Sequence, residues 1–226
     1  MNTAAVNFSD RRGWYQDGQA RFFHSMHLHG FIGNDLGFQS LDQLPGCPSH
    51  AQTPYAFKLY AIQEAKRLGY SVIFYGDASI YAVNSVTPVF KHIAKHGYYL
   101  EATEHNLGTW SSDAALAQLG LDRDTAFSIP TLVAGCIGFD FRRNVACQVF
   151  DAWMRLAQDG VSFRGSWTNA CREVSADPRV RGHRHDQTAL SGIAHSMKLT
   201  VLPYQTYIYY PTPPPPQAVF HCHPTI

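Results

Sequence analysis

The stretch Ser71-Val-Ile-Phe-Tyr-Gly-Asp-Ala-Ser79 joins a short apolar run to a carboxylate and two small residues. An unbroken run of Val, Ile, Phe and Tyr predicts a strand that is covered on both faces of a sheet. In open α/β sheets, ligands bind outside the carboxyl ends of such strands. Asp77 is therefore a candidate functional residue. The alternative is that Asp77 only stabilises a turn, because Asp favours turns by bonding to its own backbone.

Strands and helices alternate along the rest of the chain. Hydrophobic periodicity and end signals predict helices over residues 16–29, 53–68, 87–96, 113–119, 145–158 and 186–197. They predict strands over residues 4–9, 31–40, 71–76, 98–102 and 200–210, with a glycine-interrupted strand pair over residues 131–141. This alternation indicates an α/β fold with a mixed, mostly parallel sheet that is flanked by helices.

A proline-rich segment, Pro211-Thr-Pro-Pro-Pro-Pro216, separates this pattern from the C-terminal tail. Proline cannot donate ladder hydrogen bonds, so the segment is predicted to be an extended polyproline-type rod. We expect residues 1–210 to form one domain and residues 211–226 to form a strap that folds back on it. Such a strap either carries His221 and His223 to the functional site or packs Val219 and Phe220 into a groove.

Composition restricts the class of protein. A chain of 226 residues with 45% hydrophobic content is long enough for one sizeable core. A net charge of +1 does not favour a nucleic-acid partner or acceptor. No apolar run reaches the roughly 20 residues of a membrane span, and the start lacks signal-peptide features. Five widely spaced cysteines without a CxxC pair indicate reduced thiols, so a soluble, cytoplasmic protein is expected. Three His-x-His pairs without CxxC or HExxH do not predict structural zinc.

A second candidate pair, Asp186 and Gln187, comes at the start of the last predicted helix. The positive end of a helix favours a carboxylate there, and the alternative role for Asp186 is simply to cap that helix.

The order of these segments resembles the nucleotide-sugar-dependent glycosyltransferases of the GT-A fold, and within them family 8, the glycogenin-like and lipopolysaccharide galactosyltransferase group. The family motif Asp-x-Asp at a strand end is matched by Asp77-Ala78-Ser79, which keeps only the first acid. The family strand Asn-Ala/Ser-Gly resembles Val133-Ala134-Gly135 without the Asn, and Asp-Gln-Asp resembles Asp186-Gln187-Thr188. The late metal-binding His of the family would be His221 or His223.

The resemblance implies a single GT-A-like domain that transfers a sugar from a nucleoside-diphosphate sugar, such as a UDP-sugar, to a saccharide or another hydroxyl acceptor. It implies Mn²⁺ or Mg²⁺ held by Asp77, His221 and His223, which would neutralise the diphosphate leaving group. Asp186 and Gln187 are assigned to the donor sugar and the reacting face. The expected donor-binding residues are Val6, Asn7, Phe8, Ser9, Lys58, Asp77, Ala78, Ser79, Ala134 and Gly135, the first four facing the nucleotide base.

The residues leave some alternatives open. Family 8 likeness implies that the anomeric configuration is retained, although Asp186 could instead serve as the base of an inverting enzyme. A sugar-nucleotide hydrolase or nucleotidyltransferase would use the same donor cleft. A non-catalytic module that binds carbohydrate or nucleotide sugar is the third possibility, because Ser79 replaces the second acid of the motif.

Overall fold

A computed structural model describes residues 2–10 and 12–223. The α-helices of the described part are α1 Tyr15–Leu28, α2 Phe57–Arg67, α3 Thr87–His96, α4 Asp113–Leu119, α5 Arg123–Ala126, α6 Asn144–Asp159 and α7 His185–Ser196. The strands are β1 Thr3–Phe8, β2 Asn34–Phe38, β3 Val72–Gly76, β4 Ile80–Ala82, β5 Tyr98–Tyr99, β6 Ala102–Asn106, β7 Pro130–Leu132, β8 Cys136–Asp140, β9 Ile208–Tyr209 and β10 Phe220–Cys222.

The central sheet has the strand order β2-β1-β3-β8-β5. Strand β1 runs parallel to both β2 and β3, whereas β8 runs antiparallel to its neighbours β3 and β5. Four of the five strands therefore point the same way, and only β8 is reversed. The predicted α/β fold with a mixed, mostly parallel sheet is confirmed.

Strand β3 lies in the middle of this sheet and supplies side chains to two cores. Ile73 and Tyr75 pack into the core under α2, α6 and α7, while Val72 and Phe74 pack into the core under α1 and α3. This alternation follows from the two-residue period of a strand. Since both faces are covered, β3 is a continuous apolar run, and Asp77 is the first residue beyond its end.

Helix α2 begins later than the sequence indicates. The pair Thr53-Pro54 predicts a helix start, but residues 50–56 form turns and α2 begins at Phe57. Tyr55 has a φ of 63°, a left-handed conformation that interrupts helical backbone. Similarly, only β9 is regular strand within the residues 200–210 predicted to be extended, and residues 104–106 belong to β6 although a loop was expected.

The tail packs against the domain through β10, which pairs antiparallel with β4 and parallel with β9. Phe220 is fully buried and its ring stacks on Phe74 with centroids 5.1 Å apart. The chain bends at residues 211–213 instead of forming one straight rod. The division of the chain at residue 210 stays a prediction. Among the described helices, none is long and apolar enough to cross a membrane.

Candidate active site

Three charged side chains from distant parts of the chain meet at the carboxyl end of β3. The Lys58 ammonium lies 3.0 Å from Oδ2 of Asp77 and 2.9 Å from Oδ2 of Asp186. Helix α2 supplies Lys58 and the first turn of α7 supplies Asp186, so both helices converge on the sheet edge. Neither carboxylate caps the backbone beside it. Both instead face a shared cation, which the capping alternatives do not explain.

The depth of these groups differs. The side chains of Lys58 and Asp186 are only 5% exposed, whereas that of Asp77 is 32% exposed. Burial alone would lower the pKa of Lys58, but the two carboxylates outweigh burial and raise it, so the ammonium stays charged. Burial raises the pKa of Asp186, and Lys58 opposes that rise. A ligand entering from solvent meets Asp77 first, with the Lys58–Asp186 pair behind it.

Close backbone packing fixes the Asp77 carboxylate in this position. The Asp77 N–H donates to the Gly135 carbonyl at 2.8 Å, and a Cβ at position 135 would clash with the Asp77 carboxylate. The Tyr75 hydroxyl donates to Oδ1 of Asp77 at 3.1 Å. Lys58 also donates to the Ala134 carbonyl at 3.4 Å. The structure thus brings Lys58, Asp77, Ala134 and Gly135 together, and their contact with a donor stays a prediction.

The start of α7 is held by bonds that sequence patterns do not reveal. Trp153 of α6 donates its indole N–H to the Asp186 carbonyl at 3.2 Å. The Ser191 hydroxyl contacts the Gln187 carbonyl at 2.5 Å and accepts from the Leu132 N–H at 2.9 Å. Within the described chain, the Gln187 side-chain amide makes no hydrogen bond. It is therefore free to bind a ligand beside Asp186.

The Lys58–Asp186 contact is a buried ion pair, in which Oδ2 of Asp186 lies 2.9 Å from the Lys58 ammonium. Buried acceptors in native proteins are nearly always satisfied by protein, water or ligand. For this oxygen the partner is the Lys58 ammonium, which fixes the carboxylate at the base of the site.

The four residues predicted to face the nucleotide base have different surroundings. Val6 and Asn7 are fully buried, and the Asn7 amide donates to the Gly76 carbonyl at 2.6 Å. Phe8 is half-buried and stacks on Phe57 at 4.6 Å. Ser9 is buried, and its hydroxyl has no partner among the described residues. The contact of these residues with a base stays a prediction, for which the Phe8 ring and the Ser9 hydroxyl are the groups best placed.

Ala78 and Ser79 connect the β3 loop to helix α1 and to the tail. Arg21 of α1 donates to the Ala78 carbonyl at 3.3 Å and to the His223 carbonyl at 2.9 Å. The His223 N–H in turn donates to the Ser79 carbonyl at 2.9 Å. The tail therefore lies against the loop that carries Asp77.

The predicted metal ligands do not form a ready-made metal site. Nδ1 of His221 lies 2.6 Å from the Tyr81 hydroxyl and Nε2 lies 3.4 Å from the Thr212 hydroxyl, so both ring nitrogens have protein partners. His221 is also only 1% exposed. Across residues 2–10 and 12–223, no three His, Cys, Asp or Glu side chains are arranged to hold a metal ion. The side chains as placed do not fit Mn²⁺ or Mg²⁺.

Two aromatic residues near Lys58 were missed by sequence reasoning. The Tyr55 ring centroid lies 5.2 Å from the Lys58 ammonium and 5.4 Å from the His185 ring. Tyr55 and His185 have φ angles of 63° and 43°, although neither is glycine. No sequence signal predicts left-handed backbone at a Tyr or a His. Such conformations cluster at functional sites, where the surrounding structure enforces them.

No protein-family model matches the sequence, and no curated protein matches it. Among solved structures, the chain is similar to the apo form of mouse xyloside xylosyltransferase 1, with a TM-score of 0.50, 10% identity, and coverage of 97% of this chain and 96% of that one. It is also similar to the galactosyltransferase LgtC in complex with donor and acceptor sugar analogs, with a TM-score of 0.48, 13% identity, and coverage of 99% and 87%. For the bifunctional glycosyltransferase WbbM the TM-score is 0.47 at 12% identity, and the match covers 93% of this chain and 40% of that one.

At these identities the likeness concerns the fold. The match to the xylosyltransferase extends over nearly the whole of both chains. The chain is therefore a single α/β domain with the GT-A-like fold that its sequence resemblance implies.

Proposed function

We propose that this protein is a glycosyltransferase, which moves a sugar from a nucleoside-diphosphate sugar to a hydroxyl group of a saccharide or another acceptor. The observation that carries the proposal is the Lys58 ammonium held between Asp77 and Asp186 at the carboxyl edge of the sheet. Fold alone does not define an activity. Here the charged cluster lies where α/β sheets bind ligands, in a fold shared with a xylosyltransferase.

The charges of the cluster suit the bond that such an enzyme breaks. As the anomeric carbon separates from the diphosphate, positive charge develops on the sugar and negative charge on the leaving group. Preorganised carboxylates stabilise the first charge, and the buried Lys58 ammonium fixes the positions of those carboxylates. Asp77, the most exposed of the three, is assigned to contact with the donor. Lys58 holds that carboxylate in place, and Asp186 helps to keep Lys58 charged behind it.

Asp186 and Gln187 are assigned to the donor sugar. A sugar hydroxyl can donate to the Asp186 carboxylate, and the Gln187 amide can both donate and accept. The resemblance implies retention of configuration. The inverting alternative would use Asp186 as base, and the raised pKa of this buried carboxyl favours proton uptake. Proton NMR of the first product separates the two outcomes.

The proposal assigns no step to a divalent metal. The resemblance implies Mn²⁺ or Mg²⁺ at Asp77, His221 and His223, but His221 is already bonded to Tyr81 and Thr212. The roles given above therefore rest on the protein side chains alone. We also infer a cytoplasmic setting, because all five cysteines are free thiols.

The test is a thermal-shift screen of nucleoside diphosphates and nucleotide sugars, followed by time-resolved product analysis of each ligand that binds. A ligand at 100 times its Kd adds about 2.7 kcal/mol to the free energy of unfolding. Transfer to an added saccharide supports the proposal. Free sugar alone indicates a hydrolase, formation of a nucleotide–sugar bond indicates a nucleotidyltransferase, and binding without turnover indicates a binding module.

A further inference from the structure

Lys58, Asp77 and Asp186 together are called the Lys58 cluster below. A row of planar side chains leads away from this cluster. It begins at Tyr55, whose ring lies edge-on to Trp167 with centroids 6.0 Å apart. Trp167 is 50% exposed, which is high for an indole. The buried His185 ring lies edge-on to Trp167, with centroids 5.1 Å apart. Within the row, the Trp167 indole therefore presents aromatic surface to solvent next to Tyr55 of the candidate site.

Arg184 extends the row between two indoles. Its guanidinium lies 4.4 Å from the Trp167 ring centroid and 3.6 Å from that of Trp110. One of its nitrogens also donates to the Trp167 carbonyl at 3.0 Å, which fixes the stack. The backbone joins Trp110 to α7, because the Arg184 N–H donates to the Trp110 carbonyl at 3.1 Å. The stack is thus anchored to the helix that carries Asp186.

The row ends in an open cavity of about 500 Å³. His105, whose ring lies 5.4 Å from Trp110, lines this cavity together with Glu104, Asn106 and Arg181. The exposed Arg181 side chain has no hydrogen bond or ion pair with any other described residue. These carboxylate, amide and guanidinium groups suit a sugar, because sugar hydroxyls both donate and accept hydrogen bonds. The C–H face of a sugar ring also stacks on aromatic surface such as an indole.

We propose that this row, the aromatic track Tyr55–Trp167–Arg184–Trp110–His105, binds an oligosaccharide acceptor. Its reactive end would lie at the Lys58 cluster, and a later sugar unit would occupy the cavity. This inference rests on the proposed function and adds an acceptor class to it. A nucleotide donor does not account for the track, because a donor is assigned to the β1 and β3 ends, whereas the track follows residues 105–110 and 167–185 to a separate cavity.

The test is calorimetric titration with malto-, cello- and xylo-oligosaccharides of increasing length from the monosaccharide. We expect the affinity to rise with chain length in at least one series. Trp167→Ala and Arg181→Ala should weaken binding of the longest member about tenfold, close to the loss of one good contact. Tyr210→Ala is the matched control, since Tyr210 is 39% exposed and stacks on Tyr204 at a site outside the track.

The inference is overturned if no series binds, if both track variants keep the wild-type dependence on chain length, or if only Tyr210→Ala loses it. Thermal shift with nucleoside diphosphates, measured on the same variants, separates this result from the proposed function. If diphosphates bind but saccharide binding does not depend on chain length, the track is not an acceptor site and the proposed transferase function still stands. Length-dependent saccharide binding without any nucleotide binding keeps the track but makes the protein a carbohydrate-binding module.

Discussion

Gly135 and Asp77 are packed so closely that a methyl group at position 135 would clash with the Asp77 carboxylate. The backbone conformation does not require glycine at position 135, because Gly135 does not have a positive φ. The close approach of Asp77 does require it. We expect Gly135→Ala to displace Asp77 from Lys58. A displacement of about 1 Å costs up to roughly 100-fold in turnover, while overpacking costs about 1–3 kcal/mol of stability. Steady-state kinetics and urea unfolding of the variant measure the two effects. Wild-type turnover in a folded Gly135→Ala protein would mean that the position of Asp77 does not matter.

Lys58 is predicted to be essential for stability as well as for activity. Lys58→Met leaves two nearby carboxylates without their cation, and removing one partner of a buried pair costs roughly 3–5 kcal/mol. Burial already raises the pKa of Asp186, and losing Lys58 would raise it further in the folded state, so the variant should lose stability as pH rises. Urea unfolding at two pH values measures this. Lys66→Met is the control, because Lys66 lies on the same helix and is exposed. Equal stability of the two variants would contradict the account.

Divalent metal is expected to bind only together with the donor. Of the three predicted ligands, His221 is buried and bonded through both ring nitrogens. Mn²⁺ alone should therefore leave the melting temperature unchanged, whereas Mn²⁺ with a nucleoside diphosphate can raise it through the phosphate oxygens. The measurement is a thermal shift with each ligand alone and with both. A shift caused by Mn²⁺ alone and lost in His221→Ala would show a protein-built metal site and would contradict this prediction.

The buried Glu101 predicts a pH dependence of stability. Its carboxylate accepts hydrogen bonds from the Tyr99 hydroxyl and from the backbone N–H groups of Thr206, Tyr207 and Ile208. Burial nevertheless raises the pKa of Glu101 from 4.5 to about 7. Because the folded state holds this proton more tightly than the unfolded chain, this group's contribution to the free energy of unfolding falls as pH rises from 4.5 to about 7.

Glu101→Gln should remove that part of the pH dependence. The measurement is the melting temperature of both proteins at several values across this interval. Parallel curves for the wild type and Glu101→Gln would show that the carboxyl does not titrate there.

Sequence patterns predicted the parts of this protein that depend on local rules. The apolar run before Asp77 is the central strand, and the helix from Asp113 to Leu119 has its predicted bounds. Patterns could not show that Lys58 and Asp186 form a pair, because their contact depends on how α2 and α7 cross the sheet. They also missed Tyr55 and His185, since left-handed backbone at such residues is imposed by tertiary packing.

The surroundings of individual site residues were harder to predict than the fold. Asn7 was assigned to the nucleotide base as part of a strand end; its amide donates to the Gly76 carbonyl, and its contact with a base stays a prediction. The strand register decides which residues of a strand end face a ligand, and a two-residue period alone does not fix that choice. The track residues Trp110 and Trp167 lie in segments without periodicity, so no pattern could bring them together.

The most direct test of the central claim is the turnover of Asp77→Asn with the donor identified in the nucleotide-sugar screen. Asp113→Asn is the control, because it removes the carboxylate of another ion pair, with Arg123. Loss of a preorganised charge in an active site typically lowers turnover by about 100-fold or more. We predict that Asp77→Asn shows this loss with a nearly unchanged melting temperature, since Lys58 keeps Asp186, and that Asp113→Asn retains activity. Wild-type turnover in Asp77→Asn would contradict the account.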